Sequence, residues 1–335
     1  MARRSGYPAT SAAASTTNFH NTLSPQSSII LSNEPPSSTP RVTRKVKYDL
    51  PEIGKHKAVI PWVEMASGVY RNSDLVRTLS RVFAISDFNL TESTVVFADG
   101  EPKDCYPRAT VPTGGVELFV STPELMKAAV TYLLDPRCAV DISRARKLNL
   151  LQRGAPGPNE HNPAVAAALV RKMHKTLESL NISSPWLDGR RMMGWSPLSL
   201  APSLRFLRFT FDRHRDRRYA PEVLREVFRD LTHAIPLEEL YVELTLPLAA
   251  PPELHYLGQP APKNDDNDLS QEPKWRAFAM TLGAKTKFLK NFKGADIVVI
   301  GEGADNLEEW LDDLKKRDMV TVWREGTIDP DQWQF

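Results

Sequence analysis

Apolar and polar positions along residues 51–335 follow two rhythms, one helical and one extended. Leu75, Leu79, Val82 and Phe83 fall at helical spacing behind Ser73-Asp74, which predicts a capped helix over Leu75–Ala84. Ala58–Val63 is a β-prone run interrupted by Pro61, and Thr94–Ala98 reads as a strand ended by the Asp99-Gly100 turn. Val116–Val120 reads as another strand. Thr122-Pro-Glu124 supplies a cap, a proline at the first helical position and a first-turn acid. The helix it opens should stop after Leu134, at Asp135-Pro136. Further helices are predicted from Asn162-Pro163 to Lys175, over Pro221–His233, and over Pro273–Phe292 with a break at Gly283. The end of the chain reads strand Ile297–Ile300, helix Asp305–Arg317, strand Met319–Trp323. Strands and helices alternating in this way predict an α/β fold with parallel pairing.

Within the second half a spaced hexad recurs at the strand positions. Its clear copies are Leu177-x-x-Leu180-x-Ile182, Leu204-x-x-Leu207-x-Phe209 and Leu237-x-x-Leu240-x-Val242. Weaker copies are Ala145-x-x-Leu148-x-Leu150 and Phe292-x-x-Ala295-x-Ile297. Their starts differ by 32, 27, 33 and 55 residues. The last gap holds a polar stretch, Gly258–Asp268, that reads as a surface loop or insertion. The hexad resembles the strand segment of the leucine-rich repeat, over roughly residues 140–305. The asparagine at the ninth position of that pattern is replaced by Pro185, Asp212 and Thr245 in the three clear copies.

The whole chain resembles the divergent F-box and leucine-rich-repeat-like proteins, in which a repeat array captures a protein partner. The resemblance implies a degenerate stack of parallel strands and helices in which each repeat buries its aliphatic residues against the next. It implies that Leu180/Ile182, Leu207/Phe209 and Leu240/Val242 point inward. Asn149, Asn181, Arg208 and Tyr241 then line the concave face as candidate partner-binding residues, because strand side chains alternate. Leu50-Pro51-Glu52-Ile53 begins as an F-box would, but Gly54 and Pro61 disrupt the continuation, and no F-box is assigned. The competing reading is an ordinary α/β domain in a leucine-rich chain.

Composition places this fold in context. With 41% hydrophobic and 25% charged residues, the 335-residue chain has globular proportions and the length of one or two domains. Residues 1–50 differ: they are rich in Ser, Thr and Pro and poor in apolar residues, so a disordered tail is expected. Residues 51–138 read as a small α/β segment and 139–335 as the repeat-like domain, with its polar insertion near 258–272. The tail's arginines and scarcity of acids also fit a mitochondrial transit peptide, although its prolines break any amphipathic stripe. Lys plus Arg total 43 against 41 Asp plus Glu, which argues against a bulk polyanion as partner. Two cysteines, Cys105 and Cys138, make no disulfide framework and suit a reducing, intracellular compartment. No apolar run reaches the roughly 20 residues of a membrane-spanning helix.

Chemistry-bearing motifs are sparse. The strand–turn–helix around Gly301-Glu-Gly303, with Glu325 after the following strand, has the order of a dinucleotide-binding unit. Asn306 replaces the third glycine, and Glu302 and Asp305 repel phosphate, so Gly301, Gly303 and Glu325 are weak cofactor candidates. Arg205–Arg218 is the densest basic cluster, with Phe206, Phe209, Phe211 and Tyr219 interleaved as in some RNA-binding strands. No hydrolase elbow, zinc-protease pair or phosphate loop occurs. The expectation is a non-catalytic, protein-binding chain without cofactor or metal. The alternatives are a nucleotide-using enzyme at Gly301-Glu-Gly303 and RNA binding through Arg205–Arg218.

Overall fold

A hexad strand buries residues on one side and offers the polar residues between them to the other, so hexads stack only if their strands pair in register. The computed structural model describes residues 28–32, 58–80, 82–97, 110–152, 163–183, 196–211, 219–245, 271–300 and 304–324. Its strands are β1 (Ser28–Ser32), β2 (Ala58–Arg71), β3 (Val82–Val96), β4 (Val111–Val120), β5 (Val140–Asp141) and β6 (Lys147–Gln152). They continue with β7 (Ser179–Ser183), β8 (Phe206–Phe211), β9 (Glu239–Thr245), β10 (Gly294–Ile300) and β11 (Val320–Arg324). Ten of them form one sheet in chain order, with the short β5 beside β4. Every pairing is parallel.

The helices are α1 (Asn72–Leu79), α2 (Pro123–Leu134), α3 (Pro163–Met173), α4 (Pro197–Leu200), α5 (Ala220–Arg229), α6 (Glu272–Lys285), α7 (Ala304–Trp310) and α8 (Asp312–Lys315). Because successive strands always step the same way, right-handed crossovers place every helix on the same face of the sheet. Neighbouring helices touch from α2 through to α8, forming one layer. The fold is therefore α/β, a parallel sheet covered by helices on one side.

The five hexads align residue for residue. Leu148, Leu180, Leu207, Leu240 and Ala295 are consecutive partners across β6–β10, as are Leu150, Ile182, Phe209, Val242 and Ile297. All ten are at most 2% exposed, so the inward face is dry. The same geometry starts earlier than the leucines indicate. Ile60-x-x-Val63-x-Met65, Ile85-x-x-Phe88-x-Leu90 and Thr113-x-x-Val116-x-Leu118 hold equivalent register positions in β2, β3 and β4. The sheet also runs unbroken across the boundary expected at 138/139, since β4 hydrogen-bonds to β6.

Several expectations need correction. Val82, Phe83 and Ala84 belong to β3, because α1 ends at Leu79 and leaves only two residues before the strand. The β-branched Val82 and aromatic Phe83 suit a strand better than a third helical turn. Helix α6 passes through Gly283 unbroken, and a methyl group there would come within 3.0 Å of Arg317 Nη1 after α8. Helix α5 ends at Arg229, short of His233. Helix α2 has the bounds expected of it, and Thr122 caps it by accepting from the Leu125 N–H. Ser28–Ser32, inside the expected tail, forms β1 on β2 around Ile29-Ile30-Leu31. The rest of the tail, Leu50–Ile53 and the polar stretch Gly258–Asp268 lie outside the described residues.

Candidate functional site

The fifth hexad position lies between the two inward residues and therefore points to the face without helices. Asn149, Asn181, Arg208 and Tyr241 occupy it in β6–β9 and are consecutive Cα partners. The structure thus brings all four candidate residues into one row. The row extends beyond them, to Glu64, Asn89 and Glu117 on one side and to Asp296 and Thr321 on the other. Sequence reasoning missed those five residues. For Glu64, Asn89 and Glu117 the signal was the same spacing, carried largely by Ile, Val, Phe and Met in β2–β4, and for Asp296 it was the fifth position of the weak hexad that starts at Phe292.

Chemistry varies along the row. On β8 and β9, Arg208 Nη2 lies 2.8 Å from Glu243 Oε2, and its guanidinium stacks 4.5 Å over the Tyr241 ring. Burial, then the Glu243 and Asp296 carboxylates, push the Tyr241 phenol above its ordinary value, against the lowering effect of Arg208. On β10, Asp296 accepts a 2.8 Å hydrogen bond from Trp323 Nε1, and burial still holds its carboxyl above the usual range. On β3 and β7, the amide oxygens of Asn89 and Asn181 are buried and accept no hydrogen bond among the described residues. Both asparagines begin glycosylation sequons (Asn89-Leu-Thr91 and Asn181-Ile-Ser183), and both lie mid-strand.

A second row runs along the strand starts, at hexad position two, and its charges alternate in sign: Arg146, Glu178, Arg205, Glu238, Lys293. The backbone joins them, since the carbonyl of each of the first four accepts from the N–H of the next. Their side chains pair as well. Arg146 Nε is 3.7 Å from Glu178, Arg205 is 2.5 Å from Glu238, and Lys293 Nζ is 3.1 Å from Glu238. Lys293 and Arg205 together hold the Glu238 carboxyl below its usual range. Glu238→Lys would set three cations side by side. Its urea midpoint should fall below wild type, by a margin that shrinks between 20 mM and 500 mM salt. An unchanged midpoint would show that the alternation has no energetic role.

The remaining candidates fare differently. Gly301, Gly303 and Glu325 lie outside the described residues, as do Arg213–Arg218. Arg205 and Arg208, the described members of the basic cluster, are each paired with an acid, which reduces the charge available to phosphate. Among the described residues no group of three or more His, Cys, Asp or Glu side chains could hold a metal ion. No described helix is long and apolar enough to cross a membrane. No family model, curated protein or solved structure matches the chain.

Proposed function

We propose that this chain is a non-catalytic protein-binding scaffold, taking its partner on the sheet face opposite the helices. The reading agrees with the resemblance of the hexads to leucine-rich-repeat-like proteins. The observation that carries it is the in-register row from Glu64 to Thr321, nine strands wide, on a face with no described covering layer. A face this broad, mixing acids, amides, an arginine and tyrosine, suits a polar protein surface with aromatic and arginine anchors. RNA binding through Arg205–Arg218 is less favoured, because Glu238 and Glu243 neutralise the two described arginines.

The test compares three full-length proteins as bait in extract of the source cells. They are wild type, Arg208→Ala/Tyr241→Ala on the open face, and Met280→Ser on helix α6, where Met280 is 77% exposed. At least one protein should be retained by wild type and Met280→Ser and depleted tenfold or more on the double variant. Indistinguishable retention by all three baits would overturn the reading. So would a thermal shift with a nucleotide that the open-face variant leaves unchanged.

A further inference from the structure

The sheet ends on two unlike edge strands. Helices α7 and α8 pack on β11, so that edge belongs to the layered body. No described helix makes a comparable contact with β1, which meets the body through β2. The five residues of β1 pair in parallel with Trp62–Ala66, the middle of a 14-residue strand. The register sets Ile29 and Leu31 level with Val63 and Met65 of the inward row. Strand β1 therefore enters the sheet as the second half of a hexad, aliphatic-x-aliphatic, supplied by a Ser- and Pro-rich stretch of sequence.

The connection does not force β1 onto this edge. Ser32 lies beside Ala66 and β2 starts at Ala58, so the chain has to return by roughly 26 Å. The 25 residues 33–57 span up to roughly 85 Å when extended. A strand on so long a tether occupies its edge as a ligand does, at an effective concentration on the order of millimolar. Parallel pairing over five residues, with no helix packed above them, is a weak hold.

The edge is also longer than its occupant. Val59, three residues before Trp62, is 62% exposed, and Val69, three residues after Ala66, is 58% exposed. Phe83, next to the Val59 partner Ala84, is exposed as well. Val96, also on β3, and Met280 complete the set of exposed large apolar side chains among the described residues. In the sequence, the residues three places outside β1 on either side are Pro25 and Pro35. Proline has no N–H to give to a ladder. The acceptor thus offers apolar contact on both flanks, at the spacing where the resident segment carries prolines. Because β2 itself lacks an N–H at Pro61, the first flank rewards apolar contact with Val59 more than backbone pairing.

We propose that the outer edge of β2 is a strand-acceptor site for an extended segment of a protein partner, and that Ser28–Ser32 is its built-in competitor. The partner segment carries aliphatic-x-aliphatic at its centre and an apolar residue where the tail has Pro25. Main-chain pairing supplies affinity in such strand addition, and the alternate side chains supply specificity. The site lies on the sheet edge and stands apart from the open face.

The experiment uses fluorescence anisotropy with the full chain and three labelled twelve-residue peptides. One copies residues 24–35, one carries Pro25→Val, and one carries Pro25→Val together with Ile29→Ser/Leu31→Ser. The full-length variants Ile29→Ser/Leu31→Ser and Ile30→Pro weaken β1 and leave residues 58–335 unaltered. Both should bind the Pro25→Val peptide at least tenfold more tightly than wild type does, because the resident strand no longer competes. They should bind the unaltered copy at least threefold more weakly than the Pro25→Val peptide, and the serine peptide not at all. Arg208→Ala/Tyr241→Ala, on β8 and β9, should change these affinities less than twofold. Ile30→Pro carries the test if the double variant misfolds. Equal affinity of wild type and the variants would overturn the proposal, since β1 would not guard the edge. So would absence of binding to the variants, equal binding of the serine peptide, or a preference for the unaltered copy over the Pro25→Val peptide. Any of these results leaves the open-face reading standing, since Arg208→Ala/Tyr241→Ala tests that reading separately.

Discussion

Phe209→Ala is expected to lower the unfolding free energy by about 3–5 kcal/mol, and Arg208→Ala beside it by about 1 kcal/mol or less. The two residues are neighbours on β8 with opposite directions. Phe209 is fully buried in the inward row between Ile182 and Val242, 6.3 Å from the Phe211 ring, and its removal leaves a cavity against the helices. Arg208 keeps 29% of its side chain in solvent, and its partner Glu243 keeps 20%. Water can therefore take over when the ion pair is lost. Urea unfolding followed by tryptophan fluorescence would measure both. The result also bears on function. Equal costs would mean that both sides of the sheet are covered, and a scaffold reading that needs one open face would fail.

The second large effect belongs to the polar node beneath α2. Asn72 is completely buried at the start of α1, donating through Nδ2 to the Arg137 carbonyl at 3.0 Å and accepting from the Tyr132 hydroxyl at 3.0 Å. The Tyr132 oxygen in turn accepts from the Ala139 N–H at 3.3 Å. Tyr132→Phe keeps the ring but orphans an acceptor and a donor in a dry site, at an expected cost of about 1–3 kcal/mol. The node is also alkali-sensitive. Burial pushes the neighbouring Cys138 thiol from 9.0 up to about 11 and the Tyr132 phenol well above 10.0. Both groups are disfavoured as anions in the folded state. The Cys138 contribution is therefore complete below pH 9.0 and is lost as pH climbs from 9.0 toward about 11. Urea midpoints at pH 7.5 and 10.5 should diverge in wild type and diverge less in Cys138→Ala. An equal fall in both proteins would place the alkaline transition elsewhere.

Much of this architecture was legible because burial in a stacked sheet writes itself into spacing. Leu180, Leu207 and Leu240 recur at one hexad position because each must meet the next, and that repetition also put Asn149, Asn181, Arg208 and Tyr241 in one row. Helix α2 was legible to the residue because its cap and its stop are both local. The N-terminal strands were legible only as fragments, Ala58–Val63, Thr94–Ala98 and Val116–Val120, and their hexads were not. In β2 and β3 the inward positions are filled by Ile60, Val63, Met65, Ile85, Phe88 and Leu90, equivalent in burial but unlike in letter. Pro61 also disguised β2, although it precedes the stretch from Trp62 to Ala66 that β1 covers, where a missing N–H would matter more. The open-face neighbours in β2–β4 stayed hidden for the same reason. Glu64, Asp87 and Glu117 are far apart in sequence, and only register makes them neighbours.

The alternating charges at the strand starts have a consequence for how such a chain can change length. Arg146, Glu178, Arg205, Glu238 and Lys293 act as a parity check on the array. Excising the single unit that begins at Leu204 would set Glu178 beside Glu238, acid against acid. Excising the two units that begin at Leu177 and Leu204 would set Arg146 beside Glu238 and keep the alternation. Duplications obey the same arithmetic. Units of this sheet can be gained or lost in pairs at little electrostatic cost, whereas a change by one leaves a seam of like charges.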